Sequence, residues 1–339
     1  MIMTIYDIAK KLNVSPATVS LALNGDPRVA EKTRTRICSF AAEHGFVRDE
    51  QARNFRLRRS NNVAIVVHNI DNDFWYGIVR AVEQELGDRF NVILSNTEGD
   101  LEKERKIFAN LVRRKVDGII VQPASTEENH FLETIRAGIP VVSLEKTEHE
   151  LISFVKGNDH LAALRLTEES IRRGHRHIAF LNFRSDSIGL EERVSGFLEA
   201  VGRHGLRNQC KVLSANNIST EAIAELISGH EDDFSLYLCS DDRLACLLLQ
   251  ELERAHISVP ERISVCGWND CRFLEYLTRP LSSVAIPMTE IGSKAAWIIR
   301  NYLEKGPCVH KLYIEEKIIL RDSFRSLAAI PQTTERKHK

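Results

Sequence analysis

Val14-Ser15-Pro16-Ala17-Thr18-Val19-Ser20-Leu21-Ala22-Leu23-Asn24 decides how the first part of this 339-residue chain folds. Ser15 offers a capping hydroxyl, and Pro16 takes the first helical position, where its missing N–H costs nothing. Val19, Ala22 and Leu23 recur at i, i+3 and i+4 and face inward, and Asn24-Gly25 ends the helix. The opposite face is Pro16, Ala17, Thr18, Ser20, Leu21 and Asn24, all short or uncharged. Upstream, Thr4-Ile5-Tyr6-Asp7-Ile8-Ala9 opens a helix with a capping hydroxyl, an acid three residues on, and an Ile5, Ile8, Ala9, Leu12 stripe. Asn13-Val14 supplies a tight turn between the two. Downstream, a third helix from about Ala30 carries Thr33, Ile37, Phe40 and Ala41 on one side and stops at Gly45. Two short helices joined by a tight turn and braced by a third is the helix-turn-helix layout, although a purely structural three-helix bundle has the same spacing. The exposed chemistry favours nucleic acid. Thr18, Ser20 and Asn24 suit phosphate oxygens, and Pro16, Ala17 and Leu21 offer apolar contact such as a thymine methyl takes. Arg28, Lys32, Arg34 and Arg36 place positive charge beside that face.

Charge patterning agrees. The formal charge of −1 averages two unlike parts: the first 60 residues carry 11 Lys+Arg against 6 Asp+Glu, and the remaining 279 carry 35 against 41. Between them, 49–60 is basic, with only Ala52, Phe55 and Leu57 apolar. A helix of so little core is marginal when free. The stretch reads either as a solvated linker or as a segment that folds on DNA, with Phe55 wedged between base steps in the minor groove.

After Ser60, short aliphatic runs alternate with amphipathic helices. Strands are expected at 63–67, 92–94, 118–121, 139–144, 177–181, 211–213, 236–239 and 263–267. Helices are expected at about 77–89, 101–115, 127–137, 159–173, 189–204, 221–228 and 242–255, and 309–320 reads as a last extended segment. Aliphatic strands separated by helices are parallel βαβ units with both sheet faces covered. The fold class is α/β: two doubly wound lobes of about five strands each, split near 156–158, behind an N-terminal helix-turn-helix. Ligands bind outside the carboxyl ends of such strands, so facing lobes create a cleft. That rule points to 69–76, 122–125, 145–146, 182–186, 240–242 and 268–270. Phe74-Trp75 offers a stacking surface; Arg193, Asp241 and Asn269 offer hydrogen-bonding forks. Each has a plainer explanation: the aromatic pair plugs the core, Arg193 pairs with Glu191 or a neighbouring helix, and Asp241 or Asp242 caps a helix.

Other functions find little support. There is no G-x-G-x-x-G, Walker A loop, G-x-S-x-G or H-E-x-x-H, so no catalytic residue, metal or cofactor is expected. No shared metal is expected at His175 and His177. Seven scattered cysteines without a CxxC read as small buried hydrophobes of a reducing cytoplasm. No run nears the ~20 apolar residues of a membrane span, and the first ten residues lack a signal's apolar core. A cytoplasmic protein is the expectation.

The ordered run from Thr4-Ile5-Tyr6-Asp7-Ile8-Ala9 through Val14–Asn24 to Gly45-Phe46 and Gln51-Ala52-Arg53 resembles the headpiece of the LacI/GalR family of transcriptional regulators. The resemblance continues through Asp117-Gly118-Ile119-Ile120, Ile139-Pro140-Val141-Val142, Gly174-His175-Arg176-His177, Arg193 with Gly196-Phe197, Ser240-Asp241-Asp242 and Cys266-Gly267-Trp268-Asn269-Asp270, to about Phe324. It implies a periplasmic-binding-protein-like core whose chain crosses between lobes near 157, 287 and 318. The implied domains are 1–48 for DNA binding, 49–60 as hinge, 61–325 as effector-binding and dimerisation core, and 326–339 as a disordered tail. It also implies phosphate contacts from Ser15, Thr18, Ser20 and Asn24 and base reading by Pro16, Ala17 and Leu21. Thr4, Arg28, Ala52, Arg53 and Arg56 are further implied DNA contacts. Phe55 stands where the family's intercalating leucine usually is, and Arg48 where a proline is frequent. Effector-contacting positions fall on Arg193, Asp241 and Asn269, with Phe74 or Trp75 as a wall. Asn269 replaces a frequent aspartate and Asn158-Asp159 inverts a common Asp-Asn, so no effector is inherited; the headpiece leans toward the maltose-system members and hence a sugar. The expected protein is a repressor, a homodimer on a pseudopalindromic double-stranded operator, controlled by a small-molecule effector and free of membrane. No leucine heptads mark the tail. The rival classes are a soluble sugar-binding protein or a sugar-processing enzyme with the same two lobes.

Overall fold

A computed structural model describes residues 3–46, 60–70, 74–183, 188–230 and 233–327. The hinge candidates Ala52, Arg53, Phe55 and Arg56 lie outside the described residues, as does 328–339. The chain divides into two units, 1–60 and 61–339.

The first unit is built from α1 (Ile5–Leu12), α2 (Pro16–Leu23) and α3 (Glu31–Glu43). Thr4 and Asp7 close a capping box on α1: the Thr4 backbone N donates to Asp7 Oδ2 at 2.9 Å and the Asp7 N to Thr4 Oγ1 at 3.3 Å. Asn13 takes the left-handed conformation (φ 52°) that turns the chain into α2. Ile8, Ala9, Leu12, Val19, Ala22, Val29, Ile37 and Ala41 form its core. Leu23 and Leu21 both pack half-buried against that core, so Leu21 is not the fully outward residue its helix position suggests.

The second unit contains two six-stranded sheets. The first takes β1 (Asn62–Val67), β2 (Asn91–Asn96), β3 (Gly118–Val121), β4 (Val141–Ser143), β5 (Ser153–Gly157) and β11 (Lys311–Ile314). Their order is β11-β5-β4-β3-β1-β2, and every pair is parallel. The second takes β6 (Ile178–Phe183), β7 (Lys211–Ala215), β8 (Leu236–Cys239), β9 (Ser264–Asn269), β10 (Ser282–Ala285) and β12 (Lys317–Ile319). Their order is β12-β10-β9-β8-β6-β7, with only β12 antiparallel.

Helices α4 (Phe74–Leu86), α5 (Leu101–Arg113), α6 (Asn129–Arg136) and α7 (Asp159–Arg172) follow the first strands; α8 (Ile188–Arg203), α9 (Thr220–Ile227) and α10 (Asp242–Arg254) serve the second sheet. α11 (Met288–Lys305) returns to the first sheet and packs on α4. Gly292 permits that approach, since a Cβ there would stand 2.6 Å from Ile78 O; Gly196 does the same for α8 on α7, 2.2 Å from His160 O. The chain passes between sheets after β5, after β10 and between β11 and β12.

The structure amends several expectations. Residues 309–320 form two short strands in different sheets rather than one segment. β5, β10 and α11 are not among the elements expected from the sequence. Ser326 and Leu327, assigned to a disordered tail, are docked: the Leu327 N donates to Arg173 O at 2.8 Å. Cys38 and Cys308 are exposed, so the cysteines are not uniformly buried.

Candidate functional site

On the first unit, α2 carries no charged side chain, and Ser15, Ala17 and Asn24 are exposed, with Pro16, Thr18 and Ser20 half-buried. Ser15 caps α2, accepting from Thr18 N at 3.0 Å and sharing a 2.8 Å hydroxyl–hydroxyl bond with Thr18 Oγ1. The Thr4 hydroxyl donates to Asp7 Oδ2 at 2.7 Å. Arg28 stays largely exposed but is forked onto Asp26 at 3.0 and 2.8 Å, and that guanidinium draws the Asp26 carboxyl down to about 2. Arg34 lies 3.9 Å from Glu31, while Lys32 and Arg36 are exposed. Arg28 and Arg34 are thus partly neutralised, and the free positive charge of this face rests more on Lys32 and Arg36.

In the second unit, one cavity of about 500 Å³ opens at the strand ends between the sheets. Trp75 from α4, Arg193 from α8, Asp241 before α10 and Asn269 from β9 all line it. Phe74 begins α4; its side chain lies outside the described residues. Arg193 does not pair with Glu191. Its Nε donates to Asp159 Oδ1 at 2.7 Å, its Nη1 to Ser240 O at 2.6 Å, and its guanidinium lies 4.6 Å from the Trp268 ring centroid. Asp241 caps α10, accepting from Arg243 N at 2.8 Å and from Asn269 Nδ2 at 3.3 Å. Asp242 turns away and pins the loop behind it, accepting from Cys271 N at 2.8 Å and Ser283 Oγ at 2.7 Å. Asn269 (φ 104°) and Asp270 (φ 51°) hold left-handed backbone at the end of β9, a strain tolerated where a side chain must be aimed. The inverted Asn158-Asp159 pair has a local reason. Asn158 caps α7 through Leu161 N at 3.1 Å, which frees Asp159 to face Arg193.

A buried ionic cluster forms one wall. Lys156, 3% exposed, contacts Asp159 at 3.0 Å, Glu145 at 3.5 Å and also Glu192. Burial works against the Lys156 ammonium, but the Asp159, Glu145 and Glu192 carboxylates outweigh it and hold its pKa above the ordinary value. Burial likewise opposes the Asp159 charge, and Arg193 and Lys156 overcome it, holding that carboxyl low. Burial prevails at three other acids: it raises Glu145 and Asp242 to about 7 and Glu316 to about 8. These three hold their protons in the folded chain at pH values where the unfolded chain has lost them. Their contribution to stability is therefore present below the ordinary carboxyl range and lost as pH rises through 7 to 8. His68 and His175 are pushed down by burial, so they stabilise the fold less below pH 6.5. Above the histidine range, the melting temperature is expected to fall by ~5 °C or more between pH 6.5 and 8.5 in calorimetry. A flat or rising profile would contradict the burial-driven shifts.

The strand-end rule finds Asn69, Trp75, Gln122, Glu145, Ser240, Asp241 and Asn269 in the cavity wall but misses Lys156, Asp159, Asn216, Asn217, Arg243 and Glu316. Asn216-Asn217 directly follows β7, so the same rule applied to that strand finds them. Lys156 needs β5 to be seen as a strand. His175 is satisfied within the fold by Ser235 Oγ at 2.9 Å and Arg325 O at 3.1 Å. Among the described residues no group of three or more His, Cys, Asp or Glu converges as a metal site, and no helix is long and apolar enough to cross a membrane.

Comparison with known proteins gives two profile matches: residues 4–49 to bacterial regulatory proteins, lacI family, and residues 167–324 to a periplasmic binding protein-like domain. The catabolite control protein A of Priestia megaterium is 27% identical over 311 residues, spanning 89% of this chain and 93% of its own length. Among solved structures, the Lac repressor dimer bound to operator and the anti-inducer ONPF aligns with TM-score 0.85 at 17% identity, covering 95% of this chain and 99% of that one. A LacI family regulator from Enterococcus faecium with bound ribose aligns with TM-score 0.70 at 23% identity, covering 79% and 100%.

Proposed function

We propose that this chain, which belongs to the LacI/GalR family of DNA-binding transcriptional regulators, represses transcription from a pseudopalindromic operator and is controlled by a small molecule held between its lobes. The observation that carries this reading is the union, in one chain, of a capped helix-turn-helix unit and a polar cavity of about 500 Å³ between two sheets. A solute-binding protein or a sugar-processing enzyme has no use for the first. The protein acts in the cytoplasm as a homodimer, because a helix-turn-helix unit reads one half-site and a palindrome needs two. In each half-site, Pro16, Ala17 and Leu21 approach bases while Thr4, Ser15, Thr18, Ser20, Asn24 and Arg28 fix the register on phosphates. Residues 49–58 fold in the minor groove, with Ala52, Arg53 and Arg56 beside the Phe55 wedge.

The ligand is a sugar or sugar derivative, as in the regulator with bound ribose. Arg193, Asp241 and Asn269 meet its hydroxyls, and Trp75 with Phe74 forms the wall. Control follows if the ligand prefers one lobe arrangement; a tenfold change in DNA affinity requires ~1.4 kcal/mol of coupling.

Phe55→Ala tests the hinge. With a duplex selected from a random pool, its affinity for the selected site is expected to fall at least ~10-fold while binding to scrambled duplex changes less than ~2-fold. Equal losses would reduce residues 49–58 to a charged tether.

A further inference from the structure

Glu316 stands in the two-residue link between β11 and β12, the last passage between the lobes. It is 8% exposed, it lines the cleft, and neither of its carboxylate oxygens has a hydrogen-bond partner. A buried carboxyl with both oxygens unmet is costly, and folded proteins rarely keep one without a use. The chain also makes room for it. A Cβ at Gly157 would lie 1.9 Å from Glu316 Oε1, so only glycine lets this carboxyl settle against the end of β5.

Two more acceptors in the same cleft are poorly met. Ser240 Oγ has no partner, and Glu145 Oε2 has only Lys156 Nζ at 3.5 Å. The charges acting on Glu316 are Asp159 and Glu192 on one side and Arg193 and Lys156 on the other. With Glu145 and Glu316 itself, four carboxyls, Glu145, Asp159, Glu192 and Glu316, gather around two cations, Lys156 and Arg193. The protons retained by Glu145 and Glu316 near neutral pH mark where positive charge is missing. Around Glu316 the cleft therefore has acceptors in excess and is short of a cation.

We propose that the cleft takes a polyhydroxylated ligand bearing a protonated amine, an amino sugar, whose ammonium is held by Glu316. This rests on the cleft being the effector site, as read above. A phosphate or carboxylate would meet the same excess of acid. A neutral sugar would satisfy hydroxyl contacts at Ser240 and Asn269 but bring no cation to the unmet Glu316 oxygens.

The test uses the full chain and matched probes in thermal denaturation and calorimetry: glucosamine, glucose and glucose 6-phosphate, with galactosamine and mannosamine against galactose and mannose. At least one amino sugar is expected to stabilise the protein and to bind ~10-fold or more tightly than its neutral twin. Glu316→Gln, which removes the charge and keeps the shape, should cut that preference to under ~2-fold. Without ligand, Glu316→Met should raise the melting temperature by ~1–3 °C, because an unmet polar group is replaced by an apolar one. A fall there would make Glu316 a structural group and overturn the proposal. Equal or better binding of a neutral sugar would overturn the amine assignment and leave the cleft as a sensor. Silence from every probe would overturn the amine assignment and the sugar reading together.

Discussion

A chain lacking residues 1–60 is expected to lose specific DNA affinity, by ~10³-fold or more, and to keep its ligand response unchanged. Both halves of this expectation follow from where the cores lie. The helices that would read DNA are held by Ile8, Val19, Ala22 and Ile37, none of which belongs to the apolar clusters of the second unit. Those clusters need nothing from the first 60 residues. Removal also takes away 11 of the 46 Lys+Arg and leaves a body with 41 acids against 35 bases, which repels a polyanion. Duplex titration and thermal shift on the truncated chain check it. Specific affinity surviving in the truncated chain would place DNA recognition elsewhere.

Arg193→Ala is expected to destabilise the core by ~3–5 kcal/mol, on the order of 10 °C in melting temperature, and to abolish the ligand-induced shift. The guanidinium joins α8 to Asp159 on α7 and to Ser240 O at the end of β8, while lying over the buried Trp268 ring. Truncation leaves Asp159 among Glu145, Glu192 and Glu316 with Lys156 as the one remaining cation of the cluster. Lysine at 193 should restore little, because two fixed donor directions are in use. By contrast, Arg34→Ala on the first unit's surface should cost less than ~0.5 kcal/mol. A loss below ~1 kcal/mol for Arg193→Ala would show that the network is not a structural tie.

What the sequence revealed depended on whether a strand was apolar throughout. β1, with Val63-Ala64-Ile65-Val66-Val67, and β3, with Ile119-Ile120-Val121, are buried on both faces and legible at once. β5 hides because Lys156 sits in it, a residue that patterning assigns to solvent and that only its three acidic neighbours keep inside. β10 hides because Ser282 and Ser283 are buried, their hydroxyls bonded to Arg321 O and Asp242 Oδ1. α11 carries a regular stripe, Ile291, Ala295, Ile298 and Ile299, so its helix was readable from spacing. The cleft followed the same division. Asp241 and Asn269 sit at ends of recognisable strands. Glu316 lies between two strands of three and four residues, too short for any periodicity, and its burial depends on partners more than 150 residues away.

The interleaving of the two sheets has a consequence for synthesis. β11 completes the edge of the first sheet only after β6 to β10 have all been made, and β12 completes the second sheet three residues later. As the chain leaves the ribosome, neither lobe can close its edge early and wait for the other, so both exposed edges persist until 311–319 have been made. A stop codon anywhere between 287 and 310 would injure both lobes at once.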